Sequence, residues 1–201
     1  MRFIRTVVFL IVLAVIIVAV FVVSGVYHVG ADEPHWTITE RVLNLLRNRS
    51  IETQAQGLTV PNLDDPKRIA EGGEHYASMC TGCHLAPGMQ NSDLRQGLYP
   101  RPPNLVKVGV RDSAQAFWII KHGVKLTAMP AWGKSHDDES IWGLVAFIKQ
   151  LPQMTPEQYQ KATAGAGEHE HHHDENGGAG AENPDSDHVH EGADHGGSGD
   201  Q

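Results

Sequence analysis

The sequence predicts an all-α protein: about four short helices, preceded by a transmembrane helix and followed by a disordered tail. Three observations carry this. Apolar residues recur at helical period between polar caps and Gly or Pro stops, and no segment alternates as a strand does. An uncharged run from Thr6 to Val26 is long enough to cross a bilayer, which needs roughly 20 apolar residues. After Lys161 the chain has no Lys or Arg but ten Asp or Glu among many Gly and His, a composition that cannot build a core. The segments so defined are residues 1–30, 31–63, 64–161 and 162–201. The formal charge of −8 belongs to the last of them, since residues 1–161 hold 16 basic and 14 acidic side chains.

The first segment opens with Arg2 and Arg5 and then runs apolar. A cleaved signal peptide has a shorter apolar core and a small-residue cleavage site. Val29-Gly30-Ala31 is a candidate site, but it lies well beyond the apolar end. An uncleaved anchor is therefore the preferred reading. The two arginines place the N-terminus in the cytoplasm, and the rest of the chain in an oxidising compartment. The expected location is a bacterial inner membrane, single-pass, with the main domain in the periplasm.

"TITERVLNLLRNRS" reads as an amphipathic helix with Thr37 and Glu40 at capping-box spacing. Ile38, Val42, Leu45, Leu46 and the stem of Arg49 lie on one side; Arg41, Arg47 and Asn48 lie elsewhere. This helix packs on the main domain, or it lies at the membrane surface or against a membrane partner. Pro66 suits the first turn of a helix running to about Met79. Residues 86–104 carry four prolines and two glycines and read as an irregular loop. Asp112 or Ser113 caps a helix "SAQAFWIIKHG" closed by Gly123. Asp137 or Asp138 starts a last helix, "ESIWGLVAFIKQL", stopped by Pro152. About 95 residues of short helices and long loops make a small core, and something must supplement it.

The only two cysteines stand in "MCTGCH". A structural zinc site needs four ligands, normally two such pairs. A thioredoxin-type redox pair expects a βαβ setting, which the pattern lacks. A disulfide across so short a loop would staple little. The remaining chemistry is covalent haem attachment, signalled by Cys-x-x-Cys-His. Cys80 and Cys83 would add to the haem vinyl groups, and His84 would bind the iron from the proximal face. One haem c is thus the expected cofactor, and it also supplies the apolar body that the core lacks.

The distal ligand of an electron-transfer haem c is usually Met, which raises the potential. Met79 precedes Cys80, and Met89 follows His84 by five residues; both are tied to the proximal side. Met154 lies beyond the last predicted helix. Met129 sits 45 residues after His84, in a loop between two helices with Pro130 beside it, and is the assigned distal ligand. His122 is the runner-up, although a His near a helix C-terminus more often caps the dipole. His75 and His136 read as surface residues.

With these residues in view, the sequence resembles the class I c-type cytochromes, particularly the monohaem domains similar to the third subunit of cbb3-type oxidases. The resemblance covers about residues 64–152. "GGEHYASMCTGCH" resembles the family's N-terminal helix, with Gly72 and Tyr76 in the places of its packing glycine and aromatic. "IKHGVKLTAMPAWG" resembles the distal loop, and "IWGLVAFIKQL" the C-terminal helix, where Leu144 and Phe147 match the residues that cross the first helix. In mitochondrial-type members a proline carbonyl orients the proximal histidine. Here Pro87 is too near, Pro102 and Pro103 are further away, and "PPNL" resembles that element after a longer loop.

The resemblance implies a carrier of single electrons rather than an enzyme, working with membrane-bound redox proteins. A nucleic-acid partner is not expected. Arg95, Arg101, Lys107, Arg111, Lys121, Lys125 and Lys134 face only Asp112 within their stretch; they form a solvated face or steer acidic partners. Arg101 and Trp132 are candidates to bind a haem propionate. In the tail, His169, His171, His172, His173, His188, His190 and His195 stand among carboxylates. They either solubilise the chain or bind Zn, Cu or Ni. Two rival functions follow: a ligand-binding haem sensor or enzyme with a labile distal site, and a metal-handling protein acting through its tail.

Overall fold

The computed structural model describes residues 1–167. The tail histidines and the disorder expected of the tail lie outside the described residues. Within them there are helices, turns and loops, and no strand. Helix α1 spans Arg2–Ser24 and ends on Gly25, whose φ of 64° puts it in the left-handed region that glycine adopts freely. Every residue of α1 is exposed, and its mean hydropathy is 3.5. Its length and composition suit a membrane anchor.

Helix α2 spans Thr37–Gln54. Thr37 is its first helical residue, not its cap: Trp36 holds the cap position and no side chain bonds there. The capping-box expectation fails because the helix starts one residue earlier than that pattern requires. The packing expectation fails in part as well. Ile38, Val42, Leu45 and Leu46 are all exposed. The helix instead turns Leu43, Asn44, Arg47, Ile51 and Ala55 inward and lies against a later helix, α7 (Ser113–His122).

An aromatic cluster joins α1 to the domain. Trp36 lies 5.8 Å from Phe21 and 5.0 Å from Tyr27, ring centre to ring centre. Tyr27 Oη and His35 Nδ1 are hydrogen bonded at 2.9 Å. His35 in turn meets the Tyr99 ring edge-on at 5.0 Å, and its backbone N–H donates to the Tyr99 hydroxyl.

The core forms where α3 (Pro66–Met79) crosses α8 (Asp138–Gln150). Tyr76, Leu144, Val145 and Phe147 are fully buried there. Each large apolar side chain so buried contributes about 1.5–3 kcal/mol. The crossing is close because Gly72 on α3 and Gly143 on α8 bring bare backbone to bare backbone. Phe117 of α7 stacks on Trp142 of α8 at 4.1 Å, which fixes the third side of the core.

Three aspartates start these helices. Asp65 accepts from Lys67 N–H, Asp112 from Gln115 N–H and Asp137 from Ser140 N–H, each stabilising its helix by about 1 kcal/mol. Short turns α4 (Thr81–His84), α5 (Asp93–Gln96) and α6 (Leu105–Val108) fill the connection between α3 and α7. The stretch read as wholly irregular thus contains a helical turn, α5, because Ser92 caps it through Arg95 N–H.

One element was not expected. Helix α9 spans Pro156–Ala162 and carries a full capping box between Thr155 and Gln158. Met154 therefore does not lie beyond the last helix. Tyr159 of α9 is buried against Tyr76 and Phe147.

Candidate haem site

Cys80 closes α3, and Cys83 and His84 lie on the single turn α4 that follows. Three contacts hold this turn. Thr81 Oγ1 is hydrogen bonded to Tyr159 Oη at 2.8 Å. Ser92 Oγ donates to the Gly82 carbonyl at 2.5 Å. Tyr76 Oη donates to the Leu85 carbonyl at 2.7 Å in a fully buried setting. That last bond matters because Leu85, next to His84, has φ 68°, a left-handed conformation that a non-glycine residue adopts at a cost.

His84 Nδ1 lies 2.9 Å from the Pro103 carbonyl. A carbonyl can only accept, so the proton sits on Nδ1 and Nε2 keeps its lone pair. Burial is the main reason that the His84 pKa is lowered, with Arg95 adding to it, while the Pro103 bond opposes the shift. The imidazole is therefore held neutral and oriented. Pro103 is itself positioned by the loop around it: Arg95 Nε donates to the Pro102 carbonyl, and Asn104 caps α6 through Val106 N–H. Of the prolines weighed from the sequence, "PPNL" supplies the carbonyl, through its second residue.

The two cysteines are unpaired. Cys80 is buried, and burial, reinforced by Cys83, pushes its thiol up to about 12.

Met129 reaches the site from the loop between α7 and α8. Thr127 Oγ1 accepts from Met129 N–H, and Val124 N–H donates to the Met129 carbonyl. Gly123, at φ 66°, lets this loop pass tightly over the end of α7: a Cβ there would lie 2.7 Å from the Met129 carbonyl oxygen.

A cavity of about 630 Å³ brings these residues together, within the roughly 300–1,000 Å³ usual for ligand sites. Cys80, Cys83, His84 and Met129 all line it, as do Arg101 and Trp132. Met79 lines it too, beside Cys80. Met89, Met154 and His122 do not; His122 is exposed beside Trp118. The walls are mainly apolar, and the thiols and a lone-paired imidazole converge on one space. These features fit a large flat ring held by two thioether bonds and one axial nitrogen.

Two expectations need correction. His75 and His136 are half-buried and meet edge-on at 5.3 Å; loss of hydration, then the neighbouring His136, lowers the His75 pKa. The spacing of 61 residues hid this contact, which the α3–α8 crossing creates. The basic stretch is also less uniform than its composition suggests, for Lys121 pairs with Asp138 at 2.6 Å. Lys107, Arg111, Lys125 and Lys134 remain exposed.

An all-helical fold with a Cys-x-x-Cys-His turn on such a cavity fits a haem c domain. Residues 67–148 match the family described as "Cytochrome C oxidase, cbb3-type, subunit III". The match supports a class I c-type cytochrome domain in this part of the chain, which points to haem-based electron transfer. No match to a curated protein or to a solved structure accompanies it.

Proposed function

We propose that this protein is a membrane-anchored, single-haem electron carrier, or the electron-entry subunit of a larger oxidoreductase complex. Its haem domain stands on the periplasmic side of a bacterial inner membrane, with residues 6–26 as the anchor. The carrying observation is the convergence of Cys80, Cys83, His84 and Met129 on one cavity, with His84 fixed through Pro103.

Cys80 and Cys83 would hold the ring by thioether bonds. His84 would present Nε2 to the iron, and the Pro103 carbonyl keeps that imidazole in one tautomer and orientation. Met129 would supply the distal sulfur. The haem iron, when bound, accepts and releases one electron. The apolar walls exclude water, and the exposed lysines and arginines steer acidic membrane-bound redox partners.

The test is the visible spectrum of the protein matured with haem, oxidised and reduced, with and without carbon monoxide. Sharp reduced c-type bands that ignore the gas, and that change in Met129→Ala, are expected. Carbon monoxide binding to the unmodified protein would instead favour a sensor or enzyme with a labile distal site. A chain with no covalent haem would overturn the reading.

A further inference from the structure

Helix α2 lies outside the matched residues 67–148, yet it contributes Arg47, Asn48 and Ile51 to the cavity wall. Arginine is the only strongly basic residue type on that wall, at Arg47, Arg101 and Arg111. Arg101 and Arg111 are exposed, whereas Arg47 is half-buried. Arg47 Nε donates to Asn48 Oδ1 at 3.2 Å. Among the described residues its guanidinium has no ion-pair partner. A guanidinium partly withdrawn from water without an anion gives up hydration that the one bond to Asn48 offsets only in part. A haem brings two propionate carboxylates, and a carboxylate is the flat partner that the guanidinium fork fits best. Ile51, one turn on and on the same face of α2, is 7% exposed.

We infer that α2 is a wall of the haem-binding site, with Arg47 pairing with a haem propionate and Ile51 covering the ring. The inference rests on the haem reading above. It extends the site beyond the cytochrome domain, into the helix that follows the anchor. A cation held beside the haem disfavours the ferric state, which carries one more positive charge, and so raises the potential. It also keeps the propionate ionised to lower pH.

The test uses the full-length protein matured with haem. Arg47→Gln, Arg47→Lys and the exposed control Arg41→Gln are titrated spectroelectrochemically from pH 5 to 9 at low ionic strength. Expected are a lower midpoint potential and a steeper pH dependence in Arg47→Gln, with Arg41→Gln unchanged. Arg47→Lys keeps the charge and most of the potential, but resonance Raman bands of the propionate shift because the fork is lost. Should Arg47→Gln fail to accumulate, the Raman shift in Arg47→Lys decides alone. Haem-loaded Arg47→Gln indistinguishable from Arg41→Gln, or propionate bands unmoved in Arg47→Lys, would overturn the inference and leave the electron-transfer reading standing. A parent chain that attaches no haem would overturn both.

Discussion

The backbones of Gly72 and Gly143 touch. A Cβ added at Gly72 would fall on the Gly143 carbonyl, whereas one added at Gly143 would lie 3.1 Å from the Arg68 carbonyl oxygen. The two glycines share one contact but not one tolerance. Gly72→Ala must push α3 and α8 apart and open the core, at a cost of about 3 kcal/mol or more. Gly143→Ala asks for a shift of a few tenths of an ångström and should cost clearly less. Denaturant unfolding of both variants checks the order.

Tyr76→Phe removes the hydroxyl that donates to the Leu85 carbonyl. It leaves a buried acceptor without its partner beside a left-handed residue, at about 1–3 kcal/mol. Because Leu85 follows His84, the loss should reach the haem ligand. Lower unfolding midpoints and a broadened Soret band in the matured protein are the expected results. An unchanged midpoint would mean that the turn is held without this bond.

Gly123→Ala places a methyl group against the Met129, Pro130 and Ala131 backbone in a conformation with positive φ. The variant should displace the Met129 loop while leaving Cys80, Cys83 and His84 in place. The matured protein would then keep its haem but bind carbon monoxide. Gas binding in Gly123→Ala, absent from the parent, is the signature to measure.

His75 gives the fold a pH dependence. Its folded pKa lies below the unfolded value of 6.5, so the unfolded chain binds the proton more readily. The stabilisation is present above the unfolded value and is lost as pH falls from there through the folded pKa. Unfolding midpoints should drop with acidification in that window, by no more than one proton's worth of slope. His75→Asn should flatten it.

Much of this was local and hence legible. Pro66, Asp112 and Asp137 announce their helices within four residues, and the Cys80–His84 motif carries its chemistry in five. Gly72, Tyr76, Leu144 and Phe147 could be singled out only through a family likeness, since helical spacing does not say which faces meet. Gly143 escaped notice because a glycine inside a buried helix looks like a weakness until its partner is known. Arg47 escaped because the apolar residues of α2 pointed to the opposite face as the packing face; in the structure that face is bare. Helix α9 is a different case. Thr155, Pro156 and Gln158 spell a helix start, and the signal was there to be read.

The aromatic cluster at the end of α1 has a consequence for how a carrier of the kind proposed would meet its partners. Residues 25–36 could stretch to roughly 40 Å if extended, enough to swing the domain about like a tethered ball. Trp36 instead folds back onto Phe21, and His35 clasps Tyr99. A ball on a string would sweep a hemisphere and visit distant acceptors at low local concentration. With the string wound in, a domain anchored as proposed would stand at one height and one tilt above α1. On the proposed membrane-anchored reading, encounters would be set by sideways drift in the plane of the membrane, and an acceptor would be reached only where its own docking face stands at the matching height.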